Sequence, residues 1–281
     1  MAERKKRKKI YTVILIIIVF AAVLAALFYD SNTRIVVTEY NIEVKNLPQS
    51  FDGFKIAQIS DLHEKVFKND NSELYSKISA EKPDLIAITG DMVDAAGYEG
   101  YITDTVARLS EIAPVYYVTG NHEWAAGDAK GIIDAVYEGG GRPLRNEYVK
   151  IYHEDGSLLI AGIDDPNGPY DQKTVSQLND EITAKEGDVP SVLLAHRNDP
   201  DRYQNLSFDV ILCGHAHGGV WRLPFLGGLL STERTLFPKY TAGIADLDCG
   251  KLVISRGIGN GNDVPRFLNN PEIPIIILNC P

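Results

Sequence analysis

The 281-residue sequence predicts an α/β domain preceded by one N-terminal transmembrane helix. Three observations lead there. An uncharged, proline-free run from Ile10 to Tyr29 follows directly on a basic segment. From Phe54 onward, short apolar runs alternate with helix-like stretches. The composition, 44% hydrophobic and 23% charged, is that of a globular chain and excludes a wholly disordered one. Three cysteines cannot form a disulfide framework, and a net charge of −10 argues against a general nucleic-acid binder.

The N-terminal elements come first. As a helix rising about 1.5 Å per residue, Ile10 to Tyr29 would span roughly 30 Å, the thickness of a hydrocarbon core. A buried core helix would need a polar face, and this run has none. A cleaved signal peptide would carry a shorter apolar region of about 7–15 residues, although Val23-Leu24-Ala25 passes as a weak cleavage site. The preferred reading divides the chain into a basic cytoplasmic tail (1–9), a transmembrane anchor (10–29), a juxtamembrane strand segment (30–46) and one domain (47–281). Arg4 to Lys9 against the single acid Glu3 give the first 29 residues a charge of +5. The positive-inside rule keeps that end in the cytoplasm and sends the acidic remainder to the other side of the cell membrane.

Thr33 to Val44 is β-rich and reads as one or two strands. Further strands are predicted at Lys55–Ile59, Leu85–Thr89, Val115–Thr119, Leu158–Ile163, Ser191–Ala195, Val210–Cys213, Leu252–Ser255 and Ile275–Leu278. Helices are predicted at Ser72–Ala80, Ile102–Ile112, Ala129–Tyr137 and Thr174–Ala184. Asp155-Gly156 lies between two β-like runs and marks a hairpin. No repeat or low-complexity segment divides the chain after Pro48, so one compact domain is expected.

Five of the apolar runs lead straight into polar clusters. KIAQIS runs into Asp61-Leu62-His63, and LIAIT into Gly90-Asp91-Met92-Val93-Asp94. VYYVT runs into Gly120-Asn121-His122-Glu123, SVLLA into His196, and VILC into Gly214-His215-Ala216-His217. In α/β folds ligands bind beyond the carboxyl ends of the strands, so these clusters are expected to meet in one crevice. Five of the six histidines fall in them. Asp61 and His63, like His215 and His217, are two residues apart, a spacing that in extended backbone turns both side chains to one side.

The residue types specify the chemistry. Carboxylate and amide oxygens with imidazole nitrogens, and no thiolate, suit Mn²⁺, Fe or Zn²⁺ better than a structural zinc site. Asp61, His63, Asp91, Asn121, His196, His215 and His217 make seven candidate ligands. That is too many for one four- or five-coordinate ion and suits two ions sharing a carboxylate. Each motif alone is weak, since a solitary His or a Gly-Asp pair is usually a cap or a turn. The ordered set carries the weight.

That ordered set, D-x-H, G-D-x-x-D, G-N-H-E, a later His and G-H-x-H between Lys55 and His217, resembles the calcineurin-like metallophosphoesterase superfamily. IAQISDLH, GHAHGG with Arg222-Leu223-Pro224 behind it, and the ending PRFLNNPEIPIIIL resemble its small membrane-associated bacterial branch. That branch is similar to lipid-related phosphodiesterases, including UDP-2,3-diacylglucosamine pyrophosphatase-like enzymes. The resemblance implies a four-layer αββα sandwich, with two mixed sheets flanked by helices. It also implies two divalent metal ions, Mn²⁺ foremost with Fe, Zn²⁺ or Mg²⁺ as alternatives. Asp61, His63 and His217 would hold one, Asn121, His196 and His215 the other, and Asp91 would bridge them. A hydroxide held by the metals would attack phosphorus. His122 would contact the phosphate and protonate the leaving oxygen, and Asp94 would orient His122. The role of Glu123 stays open between positioning and structure.

Among the remaining residues, Arg222 is the candidate for substrate binding because it closely follows the last motif. Arg197, Arg256 and Arg266 read first as structural ion pairs, and His153 as a surface residue. The apolar stretch Leu223–Leu230 is a turn or core segment, with a membrane-facing lip as the sharper alternative. Val220 stands where the branch commonly carries a polar residue.

Taken together, the sequence predicts a membrane-anchored binuclear phosphohydrolase. It would act on phosphodiester or diphosphate bonds of a phosphorylated small-molecule or lipid-linked substrate. A phosphomonoesterase, a nuclease of the same fold and a non-catalytic module are the rivals. The acidic domain disfavours a polyanionic substrate, and no ligand position is lost as a non-catalytic module would require.

Overall fold

The computed structural model describes residues 2–67, 70–154, 156–261 and 264–281. Helix α1 (Ala2–Thr33) is long and apolar enough to cross a membrane, by length and composition. It runs on into Thr33, which the β-rich composition had placed in a strand. Only Arg34 and Ile35 separate it from β1 (Val36–Glu43).

The chain continues through β2 (Phe54–Ile59), α2 (Ser72–Glu81), β3 (Leu85–Ile88), α3 (Glu99–Ser110) and β4 (Val115–Tyr117). Then come α4 (Asn121–Ala125), α5 (Ala129–Glu138), β5 (Arg142–Pro143), β6 (Glu147–His153) and β7 (Gly156–Gly162). They are followed by α6 (Val175–Glu186), β8 (Ser191–Leu194), β9 (Val210–Cys213), and the short strands β10 (Arg222–Leu223) and β11 (Gly227–Gly228). Last are β12 (Gly243–Asp246), β13 (Lys251–Ile254) and β14 (Glu272–Asn279).

Two six-stranded mixed sheets result, in the orders β1-β14-β2-β3-β4-β5 and β12-β13-β9-β8-β7-β6. In the first sheet β14 runs antiparallel to β2 and parallel to β1, so the 30–46 segment contributes an edge strand. The predicted hairpin is the antiparallel pair β6 and β7, with His153 opposite Gly156, while Asp155 lies outside the described residues.

Period-two alternation within the apolar runs gives each central strand two faces to bury, one toward the other sheet and one toward the helices. Ile56, Leu85 and Ala87 face Leu158, Ile160, Val192, Val210 and Leu212 across the inter-sheet core. Their neighbours Ala57, Ile86 and Ile88 point outward, against Leu74 and Ile78 of α2, Ile102 and Val106 of α3, and Ile132 of α5. On the far side Leu159, Leu193 and Ile211 pack against Leu178 and Ile182 of α6. Strands buried on both faces need continuous apolar sequence, which is what these runs are. The arrangement is the expected αββα sandwich. All three cysteines are free thiols, and Cys213 is buried.

Candidate metal centre

The carboxyl ends of β2, β3 and β4 in one sheet, and of β8 and β9 in the other, open onto one place. Loops 61–64 and 90–92 are zipped together by backbone hydrogen bonds from Asp61 to Gly90 (3.0 Å), His63 to Asp91 (3.1 Å) and Glu64 to Met92 (2.8 Å). These loops are not extended. Asp61, His63, Asp91, His215 and His217 all take φ between 47° and 65°, the left-handed region that Asp and His tolerate better than most residues. The expectation that each i, i+2 pair lies on one side of a strand is therefore corrected. The strands have ended, and tight turns aim the side chains. Gly90, at φ 88°, is needed here because a Cβ would collide with the backbone of Gly120.

All seven candidate ligands converge. His63 Nε2 lies 3.2 Å from His217 Nε2 and 3.9 Å from Asp91 Oδ2, and His217 Nε2 is 3.5 Å from Asp61 Oδ1. On the other side of Asp91, His196 Nε2 lies 3.2 Å from its Oδ2, 3.1 Å from Asn121 Oδ1 and 3.1 Å from His215 Nδ1. The same Asp91 oxygen thus faces both histidine groups. His196 donates from Nδ1 to the Thr89 carbonyl at 2.8 Å, which aims Nε2 at Asp91. The His215 backbone N–H donates to both Asp61 carboxylate oxygens, at 3.0 and 3.1 Å. The His122 backbone N–H donates to Asp91 Oδ1 at 2.9 Å.

This donor set fits two cations. Two pairs of buried or nearly buried imidazole nitrogens face each other at hydrogen-bond distance among buried carboxylates, and His217 Nδ1 has no hydrogen-bond partner among the described residues. Without cations, the charges have to be shared within the cluster. Burial disfavours a charged His196, but the adjacent Asp91 more than offsets this and raises its pKa to about 10. Burial also works against charge on His63, yet Asp94, Asp91 and Asp61 raise it. Their partners go the other way. Burial, with His196 and Arg197 nearby, lowers His215 to about 2, and burial with His63 and Arg266 lowers His217 strongly. In each facing pair the charged form is favoured on one ring and disfavoured on the other, and a cation between them would take the place of a proton there.

Asp94 touches Nδ1 of both His63 and His122. The His122 pKa is raised chiefly by this carboxylate. Glu123, left open by the sequence, is fully buried and accepts backbone N–H groups of Gly120 (2.7 Å), Met92 (2.7 Å) and Asp91 (3.0 Å). It ties the GNHE turn to the Asp91 loop. Burial and the charge of Asp91 push its pKa up to about 7.

A cavity of about 590 Å³ opens above Asp91, Asn121, His122, His215 and His217. Arg222 does not line it. Its Nη1 donates to the Gly218 carbonyl (2.8 Å) and to Thr241 Oγ1 (3.2 Å), so the guanidinium holds the turn after His217. Arg197 and Arg266 line the cavity instead. Arg197 is held by Asp165 at 2.6 Å and contacts His215 Nε2 at 3.0 Å. Thr232 Oγ1 also reaches His215 Nε2, at 3.0 Å. Nothing in the local sequence pattern marks Thr232, since it arrives on an irregular loop.

Residues 54–219 match the family of calcineurin-like phosphoesterases. The chain is 33% identical to a metallophosphoesterase of Aquifex aeolicus over 86% of its length and 91% of that protein. It is 31% identical to metallophosphoesterase YkuE of Bacillus subtilis, over 87% of this chain and 85% of the relative. With phosphodiesterase YaeI of Escherichia coli it shares 26% identity over 80% of this chain and 82% of that protein. Motifs, fold and site geometry agree with these matches, and the chain belongs to the calcineurin-like phosphoesterases, metal-dependent hydrolases of phosphoesters.

Proposed function

We propose that this protein is a membrane-anchored, two-metal phosphohydrolase that cleaves a phosphodiester or diphosphate bond in a lipid-linked or cell-envelope substrate. The observation that carries the reading is the pair of inward-facing donor groups sharing Asp91 Oδ2 at the floor of an open cavity.

Asp61, His63 and His217 hold one divalent ion, Asn121, His196 and His215 hold the second, and Asp91 serves both. The nitrogen and oxygen donors suit Mn²⁺ first, with Fe, Zn²⁺ and Mg²⁺ as alternatives. Such a metal pair, when bound, activates water and neutralises charge on the phosphoryl oxygens. The chain's own residues do the rest. Asp94 holds Nδ1 of His122 and turns Nε2 toward the reacting group. The same carboxylate favours the protonated form of His122, the form that can pass a proton to the departing oxygen. Glu123 holds the Asp91 and Asn121 loops in register, and Arg197 braces His215.

Location narrows the substrate. Helix α1 anchors the chain with its basic end in the cytoplasm, and the catalytic domain lies outside. Only two residues separate α1 from β1, so the domain rests against the bilayer. Trp221, Phe225 and Leu226 are exposed, Trp221 on Phe267 beside the Leu268 that bonds Ser31 of α1, and they suit contact with lipid. The relative named phosphodiesterase supports a diester over a monoester.

The test uses the full chain in detergent micelles. Hydrolysis of a bis-aryl phosphate and of the matching monoester is compared with Mn²⁺, with EDTA, and in Asp91→Asn. The expected result is Mn²⁺-dependent cleavage, faster for the diester and lost in the variant. Faster monoester cleavage would overturn the diesterase assignment, and no metal-dependent cleavage of either ester would overturn the hydrolase reading.

A further inference from the structure

Arg266 is among the largest fully buried side chains of the described residues, only 1% exposed, yet it lines the cavity beside His217 and Asn260. Its Nε donates to the Gly259 carbonyl (3.1 Å) and to Asn260 Oδ1 (3.0 Å), and Nη2 donates to the Gly259 carbonyl (2.5 Å). Nη1 has no hydrogen-bond partner among the described residues. Asp61 and Glu272 act on this guanidinium only through space and are opposed by Arg256, and the oxygens that hold it by hydrogen bonds are neutral. A buried cation with only neutral acceptors and an idle donor is costly unless an anion completes it. Guanidinium geometry matches phosphoryl oxygens, and the cavity it borders is the one above the metal ligands.

The backbone of Arg266 is gripped from an unexpected place. Its N–H donates to Asn32 Oδ1 (2.9 Å), and Asn32 Nδ2 donates to its carbonyl (2.8 Å). Asn260, which shares the Arg266 Nε, also donates to Asn32 Oδ1, at 3.2 Å. Beside this clamp, Leu268 donates to Ser31 Oγ (2.8 Å), and Asn270 Nδ2 donates to the Asp30 carbonyl (2.9 Å). The last turn of α1 therefore braces the segment, Asn260 and Arg266, that lines the cavity. Asn32 lies three residues beyond Tyr29, about 4.5 Å along the helix axis from the end of the apolar run.

We propose that Arg266 binds the non-bridging oxygens of the substrate's phosphoryl group, and that Asn32, at the end of the anchor helix, is its positioning residue. The proposal rests on the hydrolase reading for its substrate, but the anion site itself can be tested without turnover. The anchor is then a working part of the site as well as a tether.

The experiment uses full-length protein in micelles, loaded with Mn²⁺, and the variants Arg266→Met, Arg266→Lys, Asn32→Ala and the double variant Asn32→Ala/Arg266→Met. Inorganic phosphate is the probe, by calorimetry and as a competitive inhibitor of bis-aryl phosphate cleavage. Arg266→Met is expected to weaken phosphate binding and raise KM about tenfold or more, with the bound Mn²⁺ count unchanged. Asn32→Ala should move both in the same direction by a smaller factor, and should add nothing in the Arg266→Met background.

Unchanged phosphate affinity in Arg266→Met overturns the anion site. An Asn32→Ala effect that persists undiminished without Arg266 overturns the positioning role. Should Arg266→Met fold poorly or lose Mn²⁺, Arg266→Lys and Asn32→Ala decide on the same phosphate affinity, and wild-type binding in both overturns the proposal. A wild-type protein that binds phosphate but cleaves no ester would instead sink the hydrolase reading and leave the Arg266 comparison intact.

Discussion

Asp94 Oδ1 accepts a hydrogen bond from Nδ1 of His122 at 2.8 Å, and the same oxygen also meets Nδ1 of His63. One carboxylate therefore orients a proposed metal ligand and the proposed acid together. Asp94→Asn should lower kcat by about 10² or more and weaken Mn²⁺ binding about tenfold. His122→Asn should lower kcat by about 10²–10⁴ and leave Mn²⁺ affinity unchanged. Steady-state rates with metal titrations on both variants check this. Equal metal affinities in the two would separate Asp94 from the metal site.

Glu123 satisfies three buried backbone N–H groups, so Glu123→Ala strands all three. An unsatisfied buried donor costs about 1–3 kcal/mol, and the variant should lose about 3 kcal/mol or more of stability. Urea unfolding measures it. Glu123→Gln retains the acceptor oxygen and should lose less.

Cations that bind the folded site should stabilise the fold. At a free Mn²⁺ concentration about 100 times Kd the gain is about 2.7 kcal/mol, visible as a higher Tm that EDTA reverses. In Asp91→Asn most of that increment should disappear. A Tm indifferent to Mn²⁺ in the wild type would count against the metal assignment.

Asp209 offers a pH test away from the cavity. Burial, with Asp188 nearby, raises its pKa from 3.8 to about 6, while its carboxylate accepts from the Ser191 N–H at 2.9 Å. A raised folded pKa means the group's contribution is fully present below about pH 4 and is lost as pH rises through about 6. Asp209 is partly exposed, so solvent screening limits the effect to about 1–2 kcal/mol. The stability difference between wild type and Asp209→Asn should therefore move in the variant's favour between pH 4 and pH 6. A pH-independent difference would refute the shift.

Topology has its own measurement. A periplasmic-type reporter fused after Pro281 should be active, and one fused before Met1 should not. Activity only in the cytoplasm would reverse the orientation drawn from Arg4 to Lys9.

Much of this protein was legible before any coordinate. The apolar runs, such as Leu85–Ile88 and Val192–Ala195, marked the strands, while the four-layer order followed from the motifs' resemblance to a known family and is seen in how the runs divide between the three cores. The Asp, His and Asn clusters at the strand ends announce their chemistry by residue type and order. Local sequence could not say how loops from two sheets aim at each other. It took the folded loops to replace the extended Asp61-Leu62-His63 with a left-handed turn, and to swing Arg222 away while bringing in Thr232 and Arg266. The bond between Asn32 and Arg266 spans 234 positions, and no periodicity reports a contact that only chain closure creates. The sequence by itself determined the long apolar N-terminal helix, the strand-helix alternation and the donor set, because each is a local pattern of polarity or residue type. Only the tertiary structure decided which arginines line the cavity and that the end of the N-terminal helix holds one of them, because those depend on where distant segments come to rest.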